Sequence, residues 1–200
     1  MMEIDSIMSS IPCDTLNQRI AQRVGQLRAQ QGLSLDALAT RSGVSRSMIS
    51  LIERAESSPT AVVLEKLATG LGVALASLFD TQPAVAEPVA RAKEQLPWRD
   101  PQSGYVRRNV SPPGFVSPMQ IVDVHLPAAA RVAYETAARL PRMHQQVWVL
   151  EGTLHISVGA AGHLLHCGDC LAFVLDQPTV FHNPTRKATR YAVVIVAEHG

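Results

Sequence analysis

The sequence predicts a multidomain chain, an all-α unit of five helices followed by an all-β barrel or sandwich. Three observations carry this. Up to Phe79 the apolar residues recur at helical spacing, and from Met119 onward they recur with a period of two. Between the two lies TQPAVAEPVARAKEQLPW, where Pro83, Pro88 and Pro97 block helix propagation and nothing periodic is left to bury.

In the first unit, Leu16, Ile20, Val24 and Leu27 share one face of a helix that ends at Gly32. A second helix follows Ser34, a good N-cap, turns Leu35, Leu38 and Ala39 inward and stops at Gly43. A third follows Ser45, again an N-cap, with Ile49 and Ile52 facing the core. Pro59 and Thr60 open a fourth, and Gly72 to Phe79 supply a short fifth. In the second unit, MQIVDVHL, QVWVLEGTLHISV, CLAFVL and RYAVVIVA read as strands bounded by Pro, by Gly159 to Gly162 or by Gly168-Asp169. The expected divisions are a disordered arm at 1–14, the helical domain at 15–80, a linker at 81–98 and the barrel at 99–200.

Composition narrows the function classes. With 200 residues, 46% apolar and a net charge of +1, the chain has enough to bury and is not disordered throughout. No run approaches the ~20 apolar residues that span a bilayer. Met1 to Pro12 lacks a basic residue ahead of an apolar run, so it does not read as a secretory signal, and cytoplasm is the expected compartment. Three cysteines, Cys13, Cys167 and Cys170, are an odd count that argues against a disulfide framework. Leu16 to Phe79 carries seven basic residues against four acidic ones, a modest local bias hidden by the average.

Leu35 to Arg54 has what a helix-turn-helix requires. Ala39 is small where two helices cross, Gly43 suits a positive φ in the turn, and Val44, Ile49 and Ile52 lock the second helix on the first. With GVSRSMISLIERAESSPT and VLEKLATGLGV, this stretch resembles the Cro/C1-type (XRE) DNA-binding domains over Leu16 to Phe79. The resemblance implies double-stranded DNA as partner. It places Ser45, Arg46, Ser47, Ser50 and Leu51 at base-facing positions and Ser34 at a phosphate contact. Arg46 is the foremost candidate, because a guanidinium engages guanine O6 and N7 together. Arg28 and Glu53 match a structural ion pair, and Ala55 stands where the family usually has Gly.

VWVLEGTLHISV and GDCLAFVLDQPTVFHNP resemble the cupins, small double-stranded β-helix or jelly-roll barrels. Metal-dependent cupins use two His and a Glu in the first motif and a His in the second. Here the Glu position is Gln145, the paired His positions fall around Ala138 to Pro141 without a His, and the last is Thr179, while Asn183 is kept. The expectation is a barrel without metal or other cofactor that binds an organic effector. Candidate effector-binding residues are Arg142, His144, Gln145, Val147, Thr179 and His182, with Arg139 nearby. His144 and His182 rebuilding a metal site stays open. Cys167 and Cys170 have CxxC spacing but no second ligand pair, so core packing is the expected role. The combined reading is a homodimeric regulator that reads a pseudo-palindromic operator. The alternative is a metal-dependent cupin enzyme with an accessory helical domain.

Overall fold

The computed structural model describes residues 13–79, 87–115, 117–135 and 142–198, without the side chains of residues 13–15. The helical unit contains α1 (Cys13–Gln30), α2 (Leu35–Ser42), α3 (Arg46–Glu53) and α4 (Ala61–Gly70). Three caps arise where polar hydroxyls precede apolar runs. Ser34 Oγ accepts from the Ala37 N–H at 3.1 Å, Ser45 Oγ from Met48 at 3.3 Å and Thr60 Oγ1 from Val63 at 3.4 Å. Gly43 closes α2 at φ 66°, the left-handed conformation expected of that turn. Ile20, Val24, Leu38, Ile49, Ile52, Leu64 and Leu67 fill the core.

The fifth α-helix is not formed. Leu75–Phe79 is instead a 3-10 helix, with Ser77 N–H bonded to the Ala74 carbonyl three residues back at 2.9 Å. Five residues after Gly72 are too few to repay α-helix nucleation, and the tighter turn lets Ala76 and Leu78 bury immediately. A second departure is the α2–α4 crossing. A Cβ on Gly70 would lie 2.8 Å from Ser42 Cβ and 3.0 Å from its backbone N, so Gly70 sets that approach.

Ala55 leaves α3 at φ 57°, where a side chain is strained and Gly is not. Ala55→Gly is therefore expected to stabilise the protein by about 0.5–1 kcal/mol, read as a higher denaturant midpoint at unchanged slope.

The C-terminal unit is a two-sheet antiparallel jelly roll. One sheet has the order β1 (Pro97–Arg99), β2 (Val106–Asn109), β3 (Met119–Leu126), β10 (Thr189–Glu198), β5 (Arg142–Glu151) and β8 (Cys170–Val174). The other is β4 (Arg131–Tyr134), β9 (Thr179–His182), β6 (Thr153–Val158) and β7 (Ala161–His166). Period-two alternation places Val122 and Val124, Met143, Val147 and Val149, and Tyr191, Val193 and Ile195 inside. Of the linker stretch, residues 80–86 lie outside the described range. A short 3-10 helix spans Ala92–Glu94, and β1 begins at Pro97.

Asp123, on the outer face of β3, gathers Arg108 Nη2 at 2.6 Å and Arg190 Nε at 2.9 Å, with His125 Nε2 at 3.8 Å. Burial pushes its carboxyl up, but hydrogen bonds from His125, Arg190 and Arg108 outweigh this and hold it well below the usual carboxylate range. A carboxyl depressed in the folded state adds stability above its unfolded pKa of ~3.9 and loses it as pH falls further. Asp123→Asn should cost about 2 kcal/mol at pH 7, less than a fully buried pair because both arginines are about a third exposed. In urea melts, the gap between variant and wild type should close below about pH 4.

The two units are docked against each other. The Asp100 carboxylate, 3% exposed, accepts from the first N–H of α4, Ala61, at 2.8 Å. Asn109 Nδ2 donates to the Ala76 carbonyl at 2.9 Å, and Lys66 Nζ lies 3.1 Å from Glu135. Phe79 packs edge-on to Trp98, which packs edge-on to Tyr105, with centroids 5.4 and 5.8 Å apart. The Arg107 guanidinium stacks 4.3 Å above the Phe79 ring.

Candidate nucleic-acid interface and barrel cavity

α3 buries Ile49 and Ile52 and turns its opposite face outward. Leu35, Arg46, Ser47, Ser50, Leu51 and Arg54 line an open concavity along that face, so five residues of α3 and its C-cap meet the first residue of α2 on one surface. Ser45 caps the helix and lies 3.2 Å from the Ser47 hydroxyl. Ser34 holds the start of α2, beside Leu35. Arg46 Nε lies 3.3 Å from Asp36 Oδ1, but both side chains are mostly exposed, so the pair is worth under ~1 kcal/mol and leaves Arg46 available.

Arg54 is held on this surface by three hydrogen bonds. Its Nε and Nη2 take the two Glu56 oxygens at 2.9 and 2.8 Å, and Nη1 donates to Ser50 Oγ at 2.6 Å. Ser50 is thereby oriented on the exposed face. Arg28 clamps Glu53 with two bonds of 2.6 and 2.8 Å and donates to the Leu33 carbonyl at 2.9 Å. That one side chain joins α1, the α1–α2 turn and the end of α3, fixing the pose of the outward face. Arg23 is likewise drawn inward, donating to the Ser77 carbonyl at 3.1 Å.

Inside the barrel is a cavity of about 70 Å³. Its apolar wall includes Val122, Val124, Val132, Met143, Leu175 and Phe181, and its polar groups are Tyr105, Arg107, Tyr134, Gln145 and Tyr191. Glu65 of α4 and Ala74 and Leu75 beside it also line the space, so the helical unit closes one side of the barrel. Burial pushes all three tyrosine hydroxyls up, Tyr134 well above the ordinary range, so they remain protonated donors at neutral pH. Tyr105 Oη and Tyr134 Oη are 3.4 Å apart.

Of the effector candidates, Gln145 lines the cavity. Val147 is fully buried one inward position further along β5. Thr179 is fully buried and donates to the Gln177 carbonyl at 3.1 Å. Arg142 and His144 have the opposite parity to Gln145 and are exposed, with His144 Nε2 3.3 Å from Glu198. His182 alternates with the inward Phe181, and its ring faces His155, centroids 6.5 Å apart. His144 and His182 therefore sit on the outer faces of different sheets. Arg139 and the stretch Ala138 to Pro141 lie outside the described residues. Cys167 and Cys170 do not pack in the core: both are free and exposed, at the turn into β8, where the Cys167 thiol reaches the Leu150 carbonyl at 3.0 Å.

The cavity does not fit the transition metal of metal-dependent cupins. Among the described residues its polar lining is phenol, amide, guanidinium and the single carboxylate of Glu65, with no imidazole, and a fixed cation beside the space opposes a second one. Among the described residues no helix is long and apolar enough to cross a membrane.

Residues 24–78 match the helix-turn-helix family HTH_3. Over 184 residues the chain is 30% identical to the HTH-type transcriptional regulator SutR of Escherichia coli K12, covering 91% of this chain and 97% of that protein. It is 40% identical over 62 residues to SinR of Bacillus subtilis, covering 30% of this chain and 56% of that protein. Among solved structures, an HTH_3 family transcriptional regulator from Vibrio cholerae superposes with a TM-score of 0.76 at 25% identity, covering 94% of this chain and 99% of that one. With a capped helix-turn-helix ahead of a jelly-roll barrel and a relative matched along nearly its whole length, the chain belongs to the XRE-type helix-turn-helix transcriptional regulators.

Proposed function

We propose that this regulator binds a pseudo-palindromic operator as a homodimer, with Ser45, Arg46, Ser47, Ser50 and Leu51 in the major groove and Ser34 on phosphate, and that its barrel senses a small organic effector. The observation that carries the reading is the shared wall of the cavity. Glu65 and Leu75 of the DNA-binding half line the same space as Gln145 and Tyr191 of the barrel. A molecule in that space touches both units, and differential contact with two arrangements is what an effector needs to shift an equilibrium. Dimerisation follows from the reach of the motif. One recognition helix contacts few base pairs, and two-fold proteins read half-sites about one turn, ~10 bp, apart or multiples of it.

The enzyme alternative would have to draw on tyrosines, an amide, an arginine and Glu65, since no imidazole lines the cavity among the described residues. Sedimentation of the full chain with a selected operator tests the proposal. The expected species is two chains per DNA duplex, with a metabolite extract changing the operator affinity about 5- to 150-fold. One chain per operator at micromolar protein contradicts the dimer, and an affinity indifferent to every extract fraction contradicts the sensor.

A further inference from the structure

Arg107 is the cation of the cavity, stacked on the Phe79 ring and close to the Tyr105 hydroxyl. It sits inward on β2, 4% exposed, in register with Val124 of β3. Its hydrogen bond from Nη2 to Asn109 Oδ1 is long at 3.4 Å, and its Nε is buried without a hydrogen-bond partner among the described residues. It forms no ion pair with a described residue, although a buried guanidinium is ordinarily paired. Glu65, the acidic group on the same wall, has an interaction of its own. The same cavity is lined by Tyr105, Tyr134 and Tyr191 and by apolar Val132, Met143 and Phe181, the last stacked on the Tyr191 ring with centroids 5.8 Å apart.

We propose that the barrel cavity is a site for a short organic carboxylate, its anionic end held by Arg107 and the tyrosine hydroxyls and its apolar body against Val132, Met143 and Phe181. This rests on the sensor reading above and gives it a ligand class. A buried donor left without an acceptor is costly, and an anion supplies the acceptor that the protein omits. Size sets the limit. A water needs about 10–15 Å³ of such space, so about 70 Å³ admits a molecule of roughly five or six non-hydrogen atoms. Position gives the signal. Arg107 stacks on Phe79 at the end of the helical unit, so an anion drawing the guanidinium inward pulls on the contact that joins the two halves.

The test is calorimetry and thermal melting of the full chain with straight-chain carboxylates from acetate to hexanoate, the matched primary amides, and inorganic phosphate. Carboxylates of three or four carbons should bind and raise the melting temperature, while the amides should not. Arg107→Gln should weaken that binding about 10- to 100-fold, and Tyr191→Phe, which removes one hydroxyl and little volume, should weaken it several-fold. Should Arg107→Gln fail to fold, the Tyr191→Phe effect and the carboxylate-to-amide ratio decide. Equal binding of amides, tighter binding of phosphate, or no binding by any carboxylate overturns the proposal. Carboxylate binding that leaves operator affinity unchanged supports the site while contradicting the sensor role, so the two fail separately.

Discussion

Arg46→Ala is expected to lower affinity for the selected operator by about 1–3 kcal/mol and to relax base preference at one position per half-site. The side chain stands on the first turn of α3, exposed, and among the described residues it pairs with the similarly exposed Asp36, so little has to be broken for it to reach a base edge. Truncation should leave the fold intact, because nothing in the core touches it. Arg19→Ala is the contrast. Arg19 is exposed on α1, and its loss, as that of a phosphate contact, should act evenly on all sequences and lower the salt slope by about one. Fluorescence anisotropy against operator and scrambled DNA at several salt concentrations separates the two. An Arg46→Ala variant with unchanged selectivity would contradict the placement of α3 in the groove.

The largest stability effect is expected from Asn183→Ala. This side chain is fully buried, and its amide N–H groups are shared among the carbonyls of Leu126, Pro127 and Lys187 at 3.2, 2.9 and 2.7 Å. Its oxygen accepts from the Thr185 N–H and hydroxyl at 3.0 and 2.9 Å. One residue thus ties the end of β3 to the loop between β9 and β10. Truncation strands several buried backbone groups, for a loss of about 3–4 kcal/mol, or roughly 10 °C in the melting of the barrel. Asn183→Asp should not rescue it, since a carboxylate oxygen would replace the donor and face the same three carbonyl oxygens.

Local chemistry made the helical unit readable in the sequence. Ser34, Ser45 and Thr60 cap and Gly43 turns because hydroxyls and a missing Cβ act over three or four residues, whatever packs around them. Leu75–Phe79 departs from its expected α form because its length and its burial against the barrel decide it. Gly70 escaped notice since its reason, the backbone of Ser42, lies 28 residues away in sequence. In the barrel, parity along β5 already separates Gln145 from Arg142 and His144, a distinction that nearness to a motif obscures. Arg107 and Tyr191 sit on strands far from the cupin motifs, with Tyr105 just ahead of β2, and only the register of β2, β3 and β10 brings them to one space. The docking of the two halves through Asp100, Phe79 and Trp98 is likewise a tertiary fact, where the prolines alone suggest a tether.

The central claim is that a pair of α3 helices reads DNA sequence. Selection of bound duplexes from a random library by the full chain, wild type and Arg46→Ala in parallel, tests it most directly. The wild type should enrich inverted repeats with half-site centres about 10 bp apart, or a multiple of it, and Arg46→Ala should lose preference at one symmetric pair of positions. Enrichment of an asymmetric site, or of no sequence at all, would contradict the account.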